Sequence, residues 1–184
     1  MTKRNFRQNL EVTLQFLATD KQKFAVTGRD FNRSYTCSIG RGGMIAAGDK
    51  REGDGASPIG IWPMKQVFYR ADRLAMPQTG LPCTEITQTM GWCDAPDDPD
   101  YNRLVRLPYP ASHETMWRED HAYDVVVELG HNDSPPRPGY GSAIFLHVAK
   151  PGYTPTQGCI ALALDDLLDV LKYCDTNSAL TIST

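Results

Sequence analysis

The 184-residue sequence predicts one mainly β domain with a single short helix, and three observations carry that expectation. Apolar residues recur in short alternating runs bounded by turn residues, the pattern of half-buried strands. The 13 prolines and 15 glycines interrupt the chain often enough to leave little room for long helix. Helical spacing of apolar residues is clear in one place, after Cys159. A chain of this length buries a core without staples, so residues 1–184 read as one domain.

The elements follow in order. Val12, Leu14 and Phe16 alternate within Glu11 to Phe16 and predict a strand, which the polar turn Asp20 to Gln22 joins to Phe24 to Val26 as a hairpin. Arg33 to Ile39 predicts a third strand running into Gly40 to Gly43. These glycines, with Gly48, Gly53 and Gly55, form neither a GK-[ST] nor a GxGxxG motif; they supply positive φ beside a cleft, not a phosphate loop. Lys65 to Ile86 is mixed, with Tyr69, Arg70 and Arg73 near a loop that ends at Leu81-Pro82. Gly91 to Pro110 is polar and proline-rich and predicts a long loop, either a flap over a cleft or an ordinary surface excursion. Its acidic residues Asp94, Asp97, Asp98 and Asp100 lack a calcium-loop pattern and read as solvated charge. His113 and His121 read as surface residues of a helical or loop segment. Tyr123 to Leu129 predicts a core strand that ends at His131-Asn132-Asp133, and Ala179 to Ser183 a final edge strand.

Composition narrows the function. The net charge of -3 comes from well-mixed signs and points to no nucleic-acid partner. Cys37, Cys83, Cys93, Cys159 and Cys174 form no CxxC pair and none stands at zinc-finger spacing with a histidine, so no metal is expected. An odd count fits one reactive thiol, and buried reduced cysteines fit as well; in an oxidising space Cys83 and Cys93 are the closest pair for a disulfide. The opening MTKRNFRQNLEVTLQF has basic residues but no apolar h-region and no small-residue cleavage site, so neither a secretory signal nor a membrane span is expected.

The chemistry concentrates in Ser142 to Leu171. Ala143 to Val148 predicts a largely buried strand with His147 near its C-terminal end, where a side chain reaches a cleft. Pro151, Gly152 and Pro155 reverse the chain and can return Cys159 towards His147 across eleven intervening residues. Cysteine whose pKa is lowered by a neighbouring histidine is a strong neutral-pH nucleophile, and this pair is the minimal unit of acyl transfer. Gly158 lets substrate approach the backbone, and the amides of Gly158 and Cys159 are candidates for an oxyanion hole. Ile160, Leu162, Leu164, Leu167, Leu168 and Leu171 fit the buried face of a short helix beginning near Leu164; a helix starting at Cys159 would itself favour a thiolate. Buried free cysteines and satisfied core histidines are common, so the pairing carries the expectation and neither residue does alone.

At these residues the chain resembles the L,D-transpeptidases with a YkuD-type catalytic domain. The resemblance rests on IFLHV, TPTQGCIAL and an upstream EGDGASPIGIW at Glu52 to Trp62, within a motif-bearing core of about residues 37–174. It implies a β-sandwich that cleaves a peptide bond after an L-configured centre of a peptidoglycan stem, with Cys159 as nucleophile and His147 as base. It also implies a role in cell-wall biogenesis and cell shape, a periplasmic or cell-envelope location, and acylation of Cys159 by carbapenems. Without an export signal, cytoplasmic action on recycled fragments is the other placement. The chain departs from the family where a glycine after the histidine, a histidine before Gly-Cys, and an arginine or asparagine two residues after the cysteine are usual; Val148, Gln157 and Ala161 stand there. The HND and GCIAL motifs are similar to those of a proteobacterial subgroup associated with crosslinks from first-position L-alanine to diaminopimelate.

The expected reaction is attack of the Cys159 thiolate on the donor carbonyl, followed by capture of the thioester by an acceptor amine or by water. Stem peptides, donor and acceptor, are the partners, with no metal or organic cofactor and a monomeric protein. His131, Asn132, Thr156, Gln157 and Arg137 are the candidate substrate-binding residues, and Arg41 and Arg51 further carboxylate partners. A hydrolase, such as an L,D-carboxypeptidase, and a non-catalytic peptidoglycan-binding module are the rival readings. A papain-like protease is disfavoured, because there the cysteine precedes the histidine.

Overall fold

The computed structural model describes residues 15–28 and 31–184. Most of the strand predicted over Glu11 to Phe16 lies outside them. Thirteen strands follow in order: β1 (Gln15–Thr19), β2 (Lys23–Gly28), β3 (Phe31–Ser38), β4 (Met44–Ala46), β5 (Ser57–Tyr69), β6 (Cys83–Glu85), β7 (Met90–Cys93), β8 (Leu104–Arg106), β9 (His113–Thr115), β10 (Val125–Leu129), β11 (Phe145–Val148), β12 (Ile160–Leu162) and β13 (Ala179–Ser183). Helix α1 (Leu164–Leu171) and two 3-10 turns, His121–Tyr123 and Pro151–Tyr153, complete the described chain. The fold is mainly β, as the sequence predicts.

The large sheet runs β10-β11-β12-β3-β2-β1-β13-β5-β4, with β6 on β5, and a β5 to β10 pairing closes it. β5 can close it because it is 13 residues long: Gly60 to Pro63 pair with β13, and the strand then turns to pair Met64 to Tyr69 with β10. Pro63 sits at that corner, where the loss of one ladder donor is tolerated. Alternation fills the interior, with Phe16, Phe24, Leu146, Ile160, Leu162 and Leu180 all nearly inaccessible. Leu167, Val170 and Leu171 of α1 cover one side of that core, while Asp165 and Asp166 occupy the first helical turn, where negative charge suits the macrodipole.

Two expectations change. Ala179–Ser183 is not an edge strand but lies between β1 and β5, parallel to β1, with Leu180 and Ile182 fully buried. Its position at the end of the chain carries no information about its place in the sheet. Gly91 to Pro110 is not a long loop, since it supplies β7 and β8 of a second sheet ordered β8-β7-β9. Strands of three or four residues among polar and proline-rich turns leave too little alternation to be recognised. Trp92 fastens this sheet to the outer face of the large one, its ring edge-on to Phe145 at 5.1 Å and to Phe68 at 6.3 Å.

Candidate active site

Alternation on two neighbouring strands builds the site. β11 and β12 are parallel, with Leu146 opposite Ile160 and His147 opposite Ala161. Leu146, Val148, Ile160 and Leu162 therefore enter the main core. Phe145, His147, Cys159 and Ala161 take the other face, beneath the three-stranded sheet.

The turn between these strands is fixed at several points. The Thr156 amide donates to the Ile39 carbonyl and the Arg41 amide to the Thr156 carbonyl, each at 2.9 Å, which ties the turn to the end of β3. Thr156 Oγ1 donates to the Cys159 carbonyl at 2.6 Å and accepts from the Gly158 amide at 3.1 Å. That amide must leave Thr156 Oγ1 before it can serve an oxyanion. Gly158 has φ of 136°, and a Cβ there would lie 2.9 Å from the Ala56 carbonyl oxygen. Gly158→Ala is expected to destabilise by about 1–3 kcal/mol and to slow acylation of Cys159. Thermal unfolding together with an acylation rate checks this, and an unchanged melting temperature counts against it.

The Cys159 thiol donates to the Ala143 carbonyl at 3.2 Å and accepts from the Phe145 amide at 3.4 Å. His147 Nδ1 bonds the Val148 carbonyl at 2.9 Å. A carbonyl can only accept, so Nδ1 carries the proton and Nε2 the lone pair. Each residue is 7% exposed. Burial, reinforced by the Glu114 carboxylate, pushes the Cys159 thiol up to about 12, and burial pushes the His147 imidazole down to about 4. This corrects the expectation of a low-pKa thiol: at rest the pair is neutral, because desolvation outweighs the nearby charges. α1 begins at Leu164, so no helix N-terminus assists Cys159.

The imidazole also sets a pH dependence of stability. Its folded pKa is depressed, so the unfolded chain takes up the proton first, and stability present above about pH 6.5 is lost as pH falls towards 4. The loss amounts to roughly 3 kcal/mol. Urea unfolding at pH 7 and pH 4.5 should show this loss in the wild type and much less of it in His147→Gln; equal losses would refute the assignment.

Two cavities meet at Cys159. One, of about 210 Å³, is lined by His147, Tyr123, Lys150, Thr156 and Ala161 among others. The other, of about 460 Å³, is lined by Lys50, Glu52, Asp94, His113 and Ser142 among others. Glu114, Arg118, Gln157 and Cys159 border both. Of the residues singled out from sequence, Thr156, Gln157, His147 and Cys159 thus come together.

His131, Asn132 and Arg137 do not join them, and instead line a third cavity of about 370 Å³ with Trp62 and Tyr140. His131 Nε2 bonds the Tyr140 carbonyl at 3.1 Å. Asn132 closes the loop, with Nδ2 donating to the Arg137 and Gly141 carbonyls and Oδ1 accepting from the Arg137 amide. Arg137 and Arg51 both lie against the Tyr140 ring, at 3.8 and 4.4 Å. The Arg41 side chain lies against Gly55, outside the linings of both cavities at Cys159. His121 is exposed as expected, but His113 belongs to β9 and is partly buried, with Nδ1 donating to the Ala111 carbonyl. All five cysteines are free, Cys83 and Cys93 included.

Sequence reading missed Glu114, Arg118 and Lys50 as wall residues and Asn102 as a structural hub, since none belongs to a recognised motif. Asn102 is 7% exposed, a degree of burial that only the folded chain reveals for an asparagine. Among the described residues no helix is long and apolar enough to cross a membrane, and no group of three or more His, Cys, Asp or Glu forms a metal cluster.

The YkuD family, described as the L,D-transpeptidase catalytic domain, matches residues 16–182. No curated protein matches the chain. Among solved structures the chain is similar to L,D-transpeptidase 1 of Mycobacterium tuberculosis, at 13% identity and a TM-score of 0.45, over 94% of this chain and 62% of that one. It is similar to Bd1075 of Bdellovibrio bacteriovorus, at 14% identity and a TM-score of 0.48, over 92% of this chain and 47% of that one. It is also similar to the helical cell shape determining protein Pgp2 of Campylobacter jejuni, at 15% identity and a TM-score of 0.45, over 92% of this chain and 46% of that one. The chain thus spans between 46% and 62% of the length of these three proteins.

Proposed function

The chain belongs to the YkuD family of L,D-transpeptidase catalytic domains, and we propose that it is a cysteine acyltransferase acting on peptidoglycan stem peptides in the cell envelope. The observation that carries this reading is the single thiol at the junction of two cavities, with a histidine base in one of them. Two approaches to one nucleophile suit a reaction in which a donor and an acceptor must reach the same atom in turn.

In this reading the donor enters beside His147. Nε2 takes the Sγ proton as the thiol leaves the Ala143 carbonyl, and sulfur attacks the carbonyl of the L-configured residue. The C–N bond to the D-configured residue breaks, and His147 returns the proton to the departing amine. The side-chain amine of an acceptor diaminopimelate then attacks the thioester, the C–S bond breaks, and the nitrogen proton restores the thiol through His147. The HND segment at residues 131–133 and GCIAL at residues 158–162 support L-alanine as the donor residue, giving an L-Ala to diaminopimelate crosslink.

Mass spectrometry of disaccharide tripeptide, tetrapeptide and pentapeptide muropeptides, incubated with the protein and with Cys159→Ala, tests the proposal. Dimers that require Cys159 are expected, with fragmentation placing the donor carbonyl on L-alanine. Shortened monomers alone would make the protein a hydrolase, and no turnover would leave a binding module.

A further inference from the structure

We infer that Glu114 is the residue that binds the acceptor amine and removes its first proton. The inference rests on the acyltransferase reading and assigns the chemistry of its second half.

Register places the carboxylate. Glu114 lies opposite Trp92 in the antiparallel β7 to β9 pair, and directly paired residues share a face of the sheet. Trp92 points inward onto Phe145, so Glu114 also points inward, to the boundary between the two cavities. A carboxylate directed at an apolar floor needs compensation, and here it is incomplete. Arg118 Nη1 stands 3.8 Å away, beyond hydrogen-bond reach, while the Arg118 Nε and Nη2 atoms hold Asp120 at 2.7 and 2.8 Å. Tyr123 supplies part of that compensation, its hydroxyl donating a hydrogen bond to the carboxylate from the other side. The Glu114 side chain is 31% exposed, and partial burial is the leading cause that raises its pKa above the usual glutamate value, which improves it as a proton acceptor.

The larger cavity has a matching charge pattern. Glu52, Asp94 and Glu114 all line it; Glu52 accepts from the Tyr101 and Ser142 hydroxyls, whereas Asp94 Oδ1 is buried without a hydrogen-bond partner. The cations of that wall are committed, Lys50 to Asp54 and Arg118 chiefly to Asp120, with its Nη1 also 3.8 Å from Glu114. An ammonium group is the ligand that this unmatched negative charge would take. Diaminopimelate brings one to the reaction, and it is not nucleophilic until it loses a proton. Glu114 accepts that proton and passes it to solvent; the neutral nitrogen forms the C–N bond as C–S breaks, and its second proton returns to sulfur through His147.

Hydroxylamine separates this role from a structural one, because its nitrogen is already largely neutral at neutral pH. With muropeptide donor and acceptor, Glu114→Gln should lower dimer formation about 100-fold. Capture of the acyl group by hydroxylamine as a hydroxamate should persist, showing that the variant folds and acylates. Glu114→Asp, which keeps a carboxylate one methylene further back, should recover part of the dimer yield. Dimers undiminished in Glu114→Gln, or dimer and hydroxamate falling together in both variants, would overturn the inference and leave the acyltransferase reading standing. Absence of dimers with the wild type would overturn both.

Discussion

Cys159→Ser should reduce acyl transfer by about 10⁴-fold or more, because the hydroxyl is a far weaker nucleophile than the thiol it replaces. Serine fits the space and can keep the bond to the Ala143 carbonyl, so the fold should survive. The more informative measurement is the pH profile of wild-type acylation. With the thiol pushed up to about 12 and the imidazole down to about 4, both partners keep their resting protonation across the intervening range. The acylation rate should therefore be nearly flat from about pH 5 to about pH 9 and fall only when His147 becomes protonated below that range. His147→Gln should lower the plateau and remove the fall at low pH, which belongs to the imidazole. A resting thiolate and imidazolium would behave differently, with Cys159 alkylating rapidly at pH 5; iodoacetamide labelling followed by peptide mapping would detect it and sink the neutral-pair assignment.

How much of this was legible in the sequence depended on the range of the interaction. The first hairpin, the strand carrying His147 and the helix beginning near Leu164 follow from local pattern, and Phe24, Val26, Leu146 and Leu167 are buried as that pattern predicts. The meeting of His147 and Cys159 on one face follows from alternation as soon as β11 and β12 are known to be parallel neighbours. Their pKa values do not, because burial is a property of the three-stranded sheet that covers them. That sheet was invisible for a physical reason: short strands in Gly91 to Thr115 are stabilised by the long-range contact of Trp92 with Phe68 and Phe145 more than by their own propensity. His131 and Asn132 show the converse error. Their position after a core strand suggested cleft residues, but the left-handed Asn132, with φ of 49°, uses its side chain to close its own loop.

Asn102→Ala should cost about 3–4 kcal/mol and leave the remaining folded protein poorly able to acylate. Asn102 uses all four of its side-chain hydrogen-bonding positions. Oδ1 accepts from Trp92 Nε1 at 2.9 Å and from the Ala143 amide at 3.0 Å, and Nδ2 donates to the His131 and Asn132 carbonyls at 3.0 and 2.8 Å. It thereby joins the small sheet, the turn after β10 and the entry to β11. Truncation leaves two donors and two acceptors unmatched in a place water reaches poorly, and alanine also tolerates the local φ of 58° less well than asparagine. The consequence reaches the sulfur by one further bond. Ala143 is itself left-handed, with φ of 51°, and its carbonyl accepts from the Cys159 thiol. Without Asn102 the peptide that sets the thiol loses its anchor, and a displacement near 1 Å is enough to slow a positioned reaction by about 100-fold. Asn102→Gly separates the backbone requirement from the side chain, since glycine accepts the left-handed conformation but makes none of the four bonds. Urea unfolding should place it between the wild type and Asn102→Ala, while its acylation rate under conditions where it is fully folded should remain low. Wild-type acylation in the folded Asn102→Gly protein would show that Ala143 is held without Asn102, and would reduce the residue to a stabiliser of the loop.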